Sequence, residues 1–163
     1  EPVFDEHSRI LILGSFPSVK SRENQFYYGH PQNRFWKLMA QLLEVPVPQS
    51  IDEKKTMLLT HGLALWDVIT SCDIKGSSDS SIKNAVPADI SRILKAANIQ
   101  TIIANGGTAF RLYRRYCEPV TGRPAALCPS TSPANAAFSL ERLSECWSKF
   151  IIWPARRSPS AVP

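Results

Sequence analysis

Arg9–Ser18 reads RILILGSFPS. An unbroken aliphatic run, Ile10 to Leu13, ends at Gly14, and a polar loop containing Pro17 follows. A half-exposed strand would alternate apolar and polar residues, so a short continuous apolar run predicts a strand buried on both faces. The same grammar recurs downstream. Leu63–Ile69 (LALWDVI) predicts a second strand, Gln100–Ala104 (QTIIA) a third and Ala125–Leu127 a shorter fourth. Helical spacing fills the intervals. Phe35, Leu38, Met39, Leu42 and Leu43 lie on one face of a helix that Val45–Pro48 stops. Ile51–His61 predicts another, with Asp52 and Glu53 at its positive end and Gly62 just beyond it. Further helices are expected from Pro87 to Ala97, from Asn105–Gly107 through Tyr116, and over Ser139–Trp147 with Ser139 as N-cap. Thr70–Asn84 is rich in Ser, Asp and Lys, has no periodicity and reads as a loop. Strands that alternate with helices imply an α/β fold, a parallel sheet with helices on both faces. Ligands of such sheets bind beyond the carboxyl ends of the strands. Each unusual segment follows a strand: GSFPS, the loop after Asp67, NGG, and PSTSPAN after the fourth. All four are expected to meet in one crevice.

Bulk properties narrow the class. A chain of 163 residues, 44% hydrophobic and 20% charged, has the composition of one globular domain. It contains no apolar run of about 18 residues, as a membrane span requires. The N-terminal EPVFDEHSRI has neither the basic nor the apolar region of a secretory signal. Cys72, Cys117, Cys128 and Cys146 form no C-x-x-C pair, so zinc and iron–sulfur frameworks are not expected. Reduced thiols in an intracellular protein are the simpler reading. A net charge of +5 and a pI near 9.2 suit a polyanionic partner.

The densest chemistry lies in YYGHPQNRFW, Tyr27–Trp36. Phe35 and Trp36 read as core. Tyr27 or Tyr28 offers a flat face on which a base could stack. Asn33 offers an amide for a water or a base edge, and His30 a contact to a phosphate or a water. For Tyr28 and Asn33 a purely structural role stays equally open on pattern alone. Asp67 inside an apolar strand needs a partner or a ligand, because an isolated buried charge is costly. Ser130, Thr131 and Ser132 could hold phosphate oxygens, or simply cap a turn. A Ser–His hydrolase assembled from Ser18 and His30 lacks a nucleophile elbow.

GSFPS, HPQNRFW and PSTSPAN together resemble the uracil-DNA glycosylase superfamily over roughly Arg9–Phe150, most closely its hypoxanthine-DNA (DNA-deoxyinosine) glycosylase branch. The resemblance implies a three-layer α/β/α sandwich with a central, mostly parallel four-stranded sheet. Residues 1–153 would form the glycosylase domain and 154–163 a flexible tail. It implies a monofunctional hydrolase, without metal or cofactor. Such an enzyme flips a deaminated base, chiefly hypoxanthine, out of double-stranded DNA and leaves an abasic site. A cytoplasmic, DNA-associated monomer is expected. Asn33 would position water or stabilise the departing base. Phe16, Tyr28 and Asp67 would line the base, with Tyr28 stacking on it and Asp67 accepting from N1–H of hypoxanthine. Ser15, Ser18, His30, Ser130, Thr131 and Ser132 would contact the DNA. In most of the superfamily the third residue of the first motif is Asp or Asn and positions the attacking water. Here it is Phe16, which bears on uracil removal: a uracil or other mismatch-specific glycosylase, or an inactive DNA-binding homologue, are the alternatives.

Overall fold

A computed structural model describes residues 1–16, 26–73 and 83–151. Ser18 and the tail from residue 154 lie outside them. The described chain runs β1 (Ile10–Gly14), α1 (Phe35–Leu43), α2 (Ile51–Thr60), β2 (Leu63–Asp67), β3 (Ile69–Asp73) and β4 (Lys83–Pro87). It continues with α3 (Ile90–Ala96), β5 (Thr101–Asn105), α4 (Gly107–Leu112), a π-helical turn (Tyr113–Cys117), α5 (Glu118–Thr121), β6 (Ala126–Cys128) and α6 (Leu140–Trp147).

The main sheet has the order β2-β1-β5-β6, and every pairing in it is parallel. β1 lies inside, with Ile10–Gly14 in register with Leu63–Asp67 on one side and Ile10–Leu13 with Thr101–Ala104 on the other. Alternate residues of β1 feed two cores. Ile12 joins Leu65 and Ile103 beneath α1, α2 and α6, through Phe35, Leu38, Met39, Leu58, Leu143 and Trp147. Leu11 and Leu13 join Trp66 and Ile102 beneath α3 and the α4–π segment, through Ile90, Ile93, Leu112 and Tyr113. Burial on both faces is why these strands show no alternation in sequence, and the three layers expected from the sequence are present. The N-terminal segment bridges the outer edge of β2: Val3 and Leu65 exchange N–H···O bonds of 2.9 Å in both directions. That pairing shields an edge that would otherwise be open.

The helix boundaries follow local chemistry. Ser50 caps α2 by accepting from the Glu53 N–H at 3.0 Å, and Ser139 caps α6 by accepting from the Arg142 N–H at 3.2 Å. Two expectations need correction. The segment read as a loop from Thr70 contains β3 and β4, which pair antiparallel as a separate ribbon (Ile69 opposite Pro87, Asp73 opposite Lys83). Backbone pairing rather than side-chain pattern makes these strands, so periodicity could not reveal them. The second strand therefore stops at Asp67. The helix expected to end at Tyr116 instead widens into a π turn and continues to Thr121, an irregularity that apolar spacing does not register.

Candidate active site

Chain order places the crevice. From β1 the chain moves to β2 on one side and later returns to β5 on the other. The carboxyl ends of β1, β2 and β5 then deliver Gly14, Asp67 and Asn105 side by side, the arrangement that forms ligand sites in open α/β sheets.

Asp67 is the last residue of β2 and the register partner of Gly14. It is only 8% exposed, and among the described residues no hydrogen bond reaches its carboxyl group. Burial pushes that carboxyl up to about 7. Tyr28 comes in above it. Its ring stacks on Phe35 with centroids 4.3 Å apart, and its hydroxyl is buried without a hydrogen bond. Burial first, and the Asp67 charge second, raise the Tyr28 hydroxyl far above its ordinary pKa. The Asn105 amide acts in the opposite direction, although no hydrogen bond between the two closes. The backbone of Tyr28 is left-handed, with φ +53°. That conformation is uncommon for a bulky residue and marks constraint from its surroundings. Gly14 leaves room for both groups: a Cβ there would lie 2.5 Å from Asp67 Oδ1 and 2.9 Å from the Tyr28 hydroxyl.

Asn33 is held from two sides. Its Oδ1 accepts from the Phe35 N–H at 2.9 Å and from the Thr131 hydroxyl at 2.8 Å. The carbonyl end is thus committed to opening α1 and anchoring the PSTSPAN loop, and among the described residues the NH₂ group donates no hydrogen bond. Thr131 is itself fully buried. Its N–H donates to Asn105 Oδ1 at 3.1 Å, and its hydroxyl oxygen accepts from Asn105 Nδ2 at 3.1 Å. This corrects the expectation that Thr131 contacts DNA: its side chain points inward and ties β5 to Asn33. Gly106, at φ +98°, lets the two loops close, because a Cβ there would meet Ser130 Cβ at 2.9 Å.

The remaining candidates lie along the rim. Ser130 and Ser132 are half-buried, and their hydroxyls accept from Ser132 N–H and Ala134 N–H, both at 3.1 Å. Each keeps its proton to donate. His30 Nδ1 accepts from the Gln32 N–H at 3.0 Å, so the neutral ring carries its proton on Nε2. The Ser15 carbonyl accepts from Ile69 N–H at 2.9 Å, which fixes the start of the first-motif loop. Phe16 is half-buried and packs against the Leu11–Leu13 core.

Comparison with known proteins gives this crevice its family. Residues 1–153 match the model of the uracil DNA glycosylase superfamily. The chain belongs to that superfamily. Within it, the chain is similar to the hypoxanthine DNA glycosylase of Methanosarcina acetivorans, with 35% identity over 144 residues, covering 88% of this chain and 90% of the relative. The hypoxanthine DNA glycosylase of Methanosarcina barkeri is 38% identical over 109 residues, 64% of this chain and 68% of the relative. The solution NMR structure of a Methanosarcina acetivorans protein described as a candidate uracil DNA glycosylase superposes with a TM-score of 0.79 at 33% identity, over 93% of each chain.

Two residues of this superfamily member escaped the sequence reading. Asn105 was visible only as part of a turn, yet it joins β5 to Thr131. Arg34 read as one cation among many. Its guanidinium donates to the carbonyls of Ser132 (2.8 Å), Asn135 (3.1 Å) and Phe138, and its N–H donates to the Thr131 carbonyl at 3.1 Å. Only its place next to Asn33 in the aromatic stretch hinted at this. Arg34 clamps the two motif loops together. Arg34→Ala is expected to destabilise the protein by on the order of 2–3 kcal/mol, since several carbonyls lose a charged donor at once. A lower urea midpoint with an unchanged m-value would report it. A midpoint equal to wild type would show that the clamp contributes nothing.

Proposed function

We propose that the protein is a monofunctional DNA glycosylase acting on deaminated bases in double-stranded DNA, chiefly hypoxanthine. The observation that carries this reading is the meeting of Tyr28 and the Asp67 carboxyl over Gly14, with Asn33 tied through Thr131 to Asn105 at the neighbouring strand end. A flipped nucleotide needs a flat face to stack on, a polar edge to read its base and a donor for the leaving group, and these three side chains supply them. Tyr28 stacks on the base. Asp67 accepts from the N–H of its edge. The Asn33 NH₂ donates to the base as the N-glycosidic bond breaks and negative charge gathers on the departing ring, while water adds at C1′ and leaves the abasic sugar. Because Asn33 Oδ1 is already engaged, leaving-group stabilisation fits Asn33 better than holding the water. Phe16 lines the pocket without a polar atom. Ser130, Ser132, Ser15 and the His30 Nε2–H face the DNA backbone. The enzyme would work as a monomer wherever the cell keeps its DNA.

Phe16 favours a second reading, a homologue that binds DNA without cutting it. Single-turnover cleavage of duplexes carrying one deoxyinosine or one deoxyuridine, developed with alkali, separates the two. Deoxyinosine cleavage well ahead of deoxyuridine is expected. Absence of cleavage at both, with DNA still bound, would establish the non-catalytic reading. Phe16→Asn restores a water-holding amide to the first motif and is expected to raise deoxyuridine cleavage by at least about tenfold, within the range for a positioned polar catalytic group. Unchanged deoxyuridine cleavage would show that Phe16 is not what limits uracil removal.

A further inference from the structure

Ser130, Thr131 and Ser132 place three hydroxyls in a row, and the middle one is turned away from the other two. Ser130 and Ser132 are half-buried at the rim, whereas Thr131 is fully buried. Holding the loop in place does not by itself require that hydroxyl, because Arg34 already grips the carbonyls of Thr131, Ser132 and Asn135. What the hydroxyl adds is a direction. The Thr131 N–H can only donate, so the Asn105 atom that meets it at 3.1 Å is the amide oxygen. The Asn105 NH₂ is then the end that donates to Thr131 Oγ1 at 3.1 Å. With that oxygen accepting from Asn105, the hydroxyl proton goes to Asn33 Oδ1, 2.8 Å away. The Phe35 N–H donates to the same Oδ1 at 2.9 Å. The bonds run in one sense, from two backbone N–H groups that cannot reverse to the carbonyl end of Asn33.

We infer that Thr131 is a positioning residue for the reaction: its hydroxyl, oriented by Asn105, fixes the Asn33 amide so that the NH₂ and not the oxygen is presented to the departing base. This rests on the glycosylase reading above and deepens it. An amide has two ends of nearly the same shape, one a donor and one an acceptor. A reversed amide would set an oxygen against the negative charge that gathers on the base, where a donor is needed. One hydrogen bond to Oδ1 is a hinge, because the side chain can pivot about the Phe35 N–H. A second bond from a different element fixes both the plane and the sense of the amide. The Phe35 N–H comes from the start of α1 and the Thr131 hydroxyl from the loop after β6, so Asn33 is held between the two motifs. The donor is then aligned before a base arrives, and such preorganisation is what gives a hydrogen-bond donor its catalytic effect. Threonine suits the role better than its serine neighbours, since a branched Cβ restricts the rotamer that aims the hydroxyl.

Thr131→Val removes the hydroxyl and keeps the branched shape, and Thr131→Ser keeps the hydroxyl. Each is compared by single-turnover cleavage of a deoxyinosine duplex at saturating protein, in the wild-type and in the Asn33→Asp background. Affinity for a duplex carrying a tetrahydrofuran abasic analogue is measured beside it. Thr131→Val is expected to lower the deoxyinosine rate about 10- to 100-fold, the effect of a misaligned donor. Thr131→Ser should stay within about threefold of wild type, because the bond to Asn33 survives. Affinity for the base-less duplex should be unchanged in both, since the partner of the Asn33 NH₂ is the base. The Asn33→Asp background separates positioning from architecture. An aspartate has two oxygens and no NH₂ to aim, so Thr131→Val should cost nothing further there. A Thr131→Val rate equal to wild type would overturn the inference. So would an equal loss in both backgrounds, a loss of affinity for the base-less duplex as large as the loss in rate, or a loss in Thr131→Ser as large as in Thr131→Val. Should Thr131→Val not fold, Thr131→Cys carries the test with a weaker donor of similar size: an intermediate loss is expected, and a rate equal to wild type would overturn the inference. Wild-type protein that cleaves no deoxyinosine overturns the parent reading instead, so the two failures are distinguishable.

Discussion

Asn33→Asp is expected to lower single-turnover deoxyinosine cleavage by about 10²- to 10³-fold, the effect of removing one preorganised donor from developing negative charge. The substitution is chosen for what it keeps. An aspartate oxygen can still accept from the Phe35 N–H and the Thr131 hydroxyl, the two bonds that Asn33 Oδ1 makes now. The fold, the start of α1 and the anchoring of the PSTSPAN loop should survive, and the melting temperature should move little. What changes is the other end of the side chain, where an NH₂ becomes an acceptor facing the departing base. Asn33→Ala loses that donor too, but it also strands the Phe35 N–H and the Thr131 hydroxyl, at roughly 1–3 kcal/mol of stability. Comparing the variants therefore separates chemistry from architecture. Full activity in a folded Asn33→Asp protein would remove Asn33 from the chemical step.

Asp67 should set the pH dependence. Its carboxyl is pushed up to about 7 by burial, and the proposed role needs the ionised acceptor. The rate at limiting protein concentration is expected to rise about tenfold per pH unit below 7 and to level off above it. Asp67→Asn should flatten that limb, and Asp67→Ala should lower the deoxyinosine rate about 10²-fold at pH 8, through loss of a charge-assisted hydrogen bond to the base. A limb that persists near pH 7 in Asp67→Asn would assign the titration to another group.

Stability should move the other way. An unfolded aspartate releases its proton near the model value of 3.8, whereas folded Asp67 holds it to about 7. Between those values the native state binds more protons, so stability falls as pH rises from about 4 to 7 and stays reduced above. Asp67→Ala and Asp67→Asn are thus expected to be more stable than wild type at pH 8, on the order of a few kcal/mol, and no more stable at pH 4. A carboxylate that weakens the fold and strengthens the reaction is the trade expected of a functional group. A fall in stability at pH 8 on its removal would mark Asp67 as a structural ion instead.

How legible the site was depended on how local its signals are. Tyr28, Asn33 and Asp67 stand out in sequence because each breaks the pattern around it: an aromatic and an amide in a loop, a charge ending an apolar strand. Their separate roles were not legible. Asn33 reads in sequence as able to hold a water or a leaving base, and only packing engages its Oδ1 with Thr131, a residue 98 positions away. Thr131 looked like a phosphate contact because a hydroxyl in a polar loop usually faces solvent, and only packing turns it inward. Arg34 and Asn105 carried no pattern at all. Their partners are carbonyls and amides of distant loops, and backbone groups leave no mark in composition or periodicity.

By itself the sequence determined the α/β alternation, the double-sided burial of β1, β2 and β5, the limits of α1 and the Ser139 cap. Each follows from neighbours within a few residues, through side-chain periodicity and local capping bonds. It also determined the family, because three motifs in a fixed order carry more than any one of them. Only the tertiary structure decided that β1 lies between β2 and β5, and so which strand ends share a crevice. It also brought a hydroxyl from the aromatic stretch and a carboxyl from β2 to either side of a glycine with no side chain to part them. Those are distances between residues far apart in the chain, fixed by packing a sheet between two helical layers.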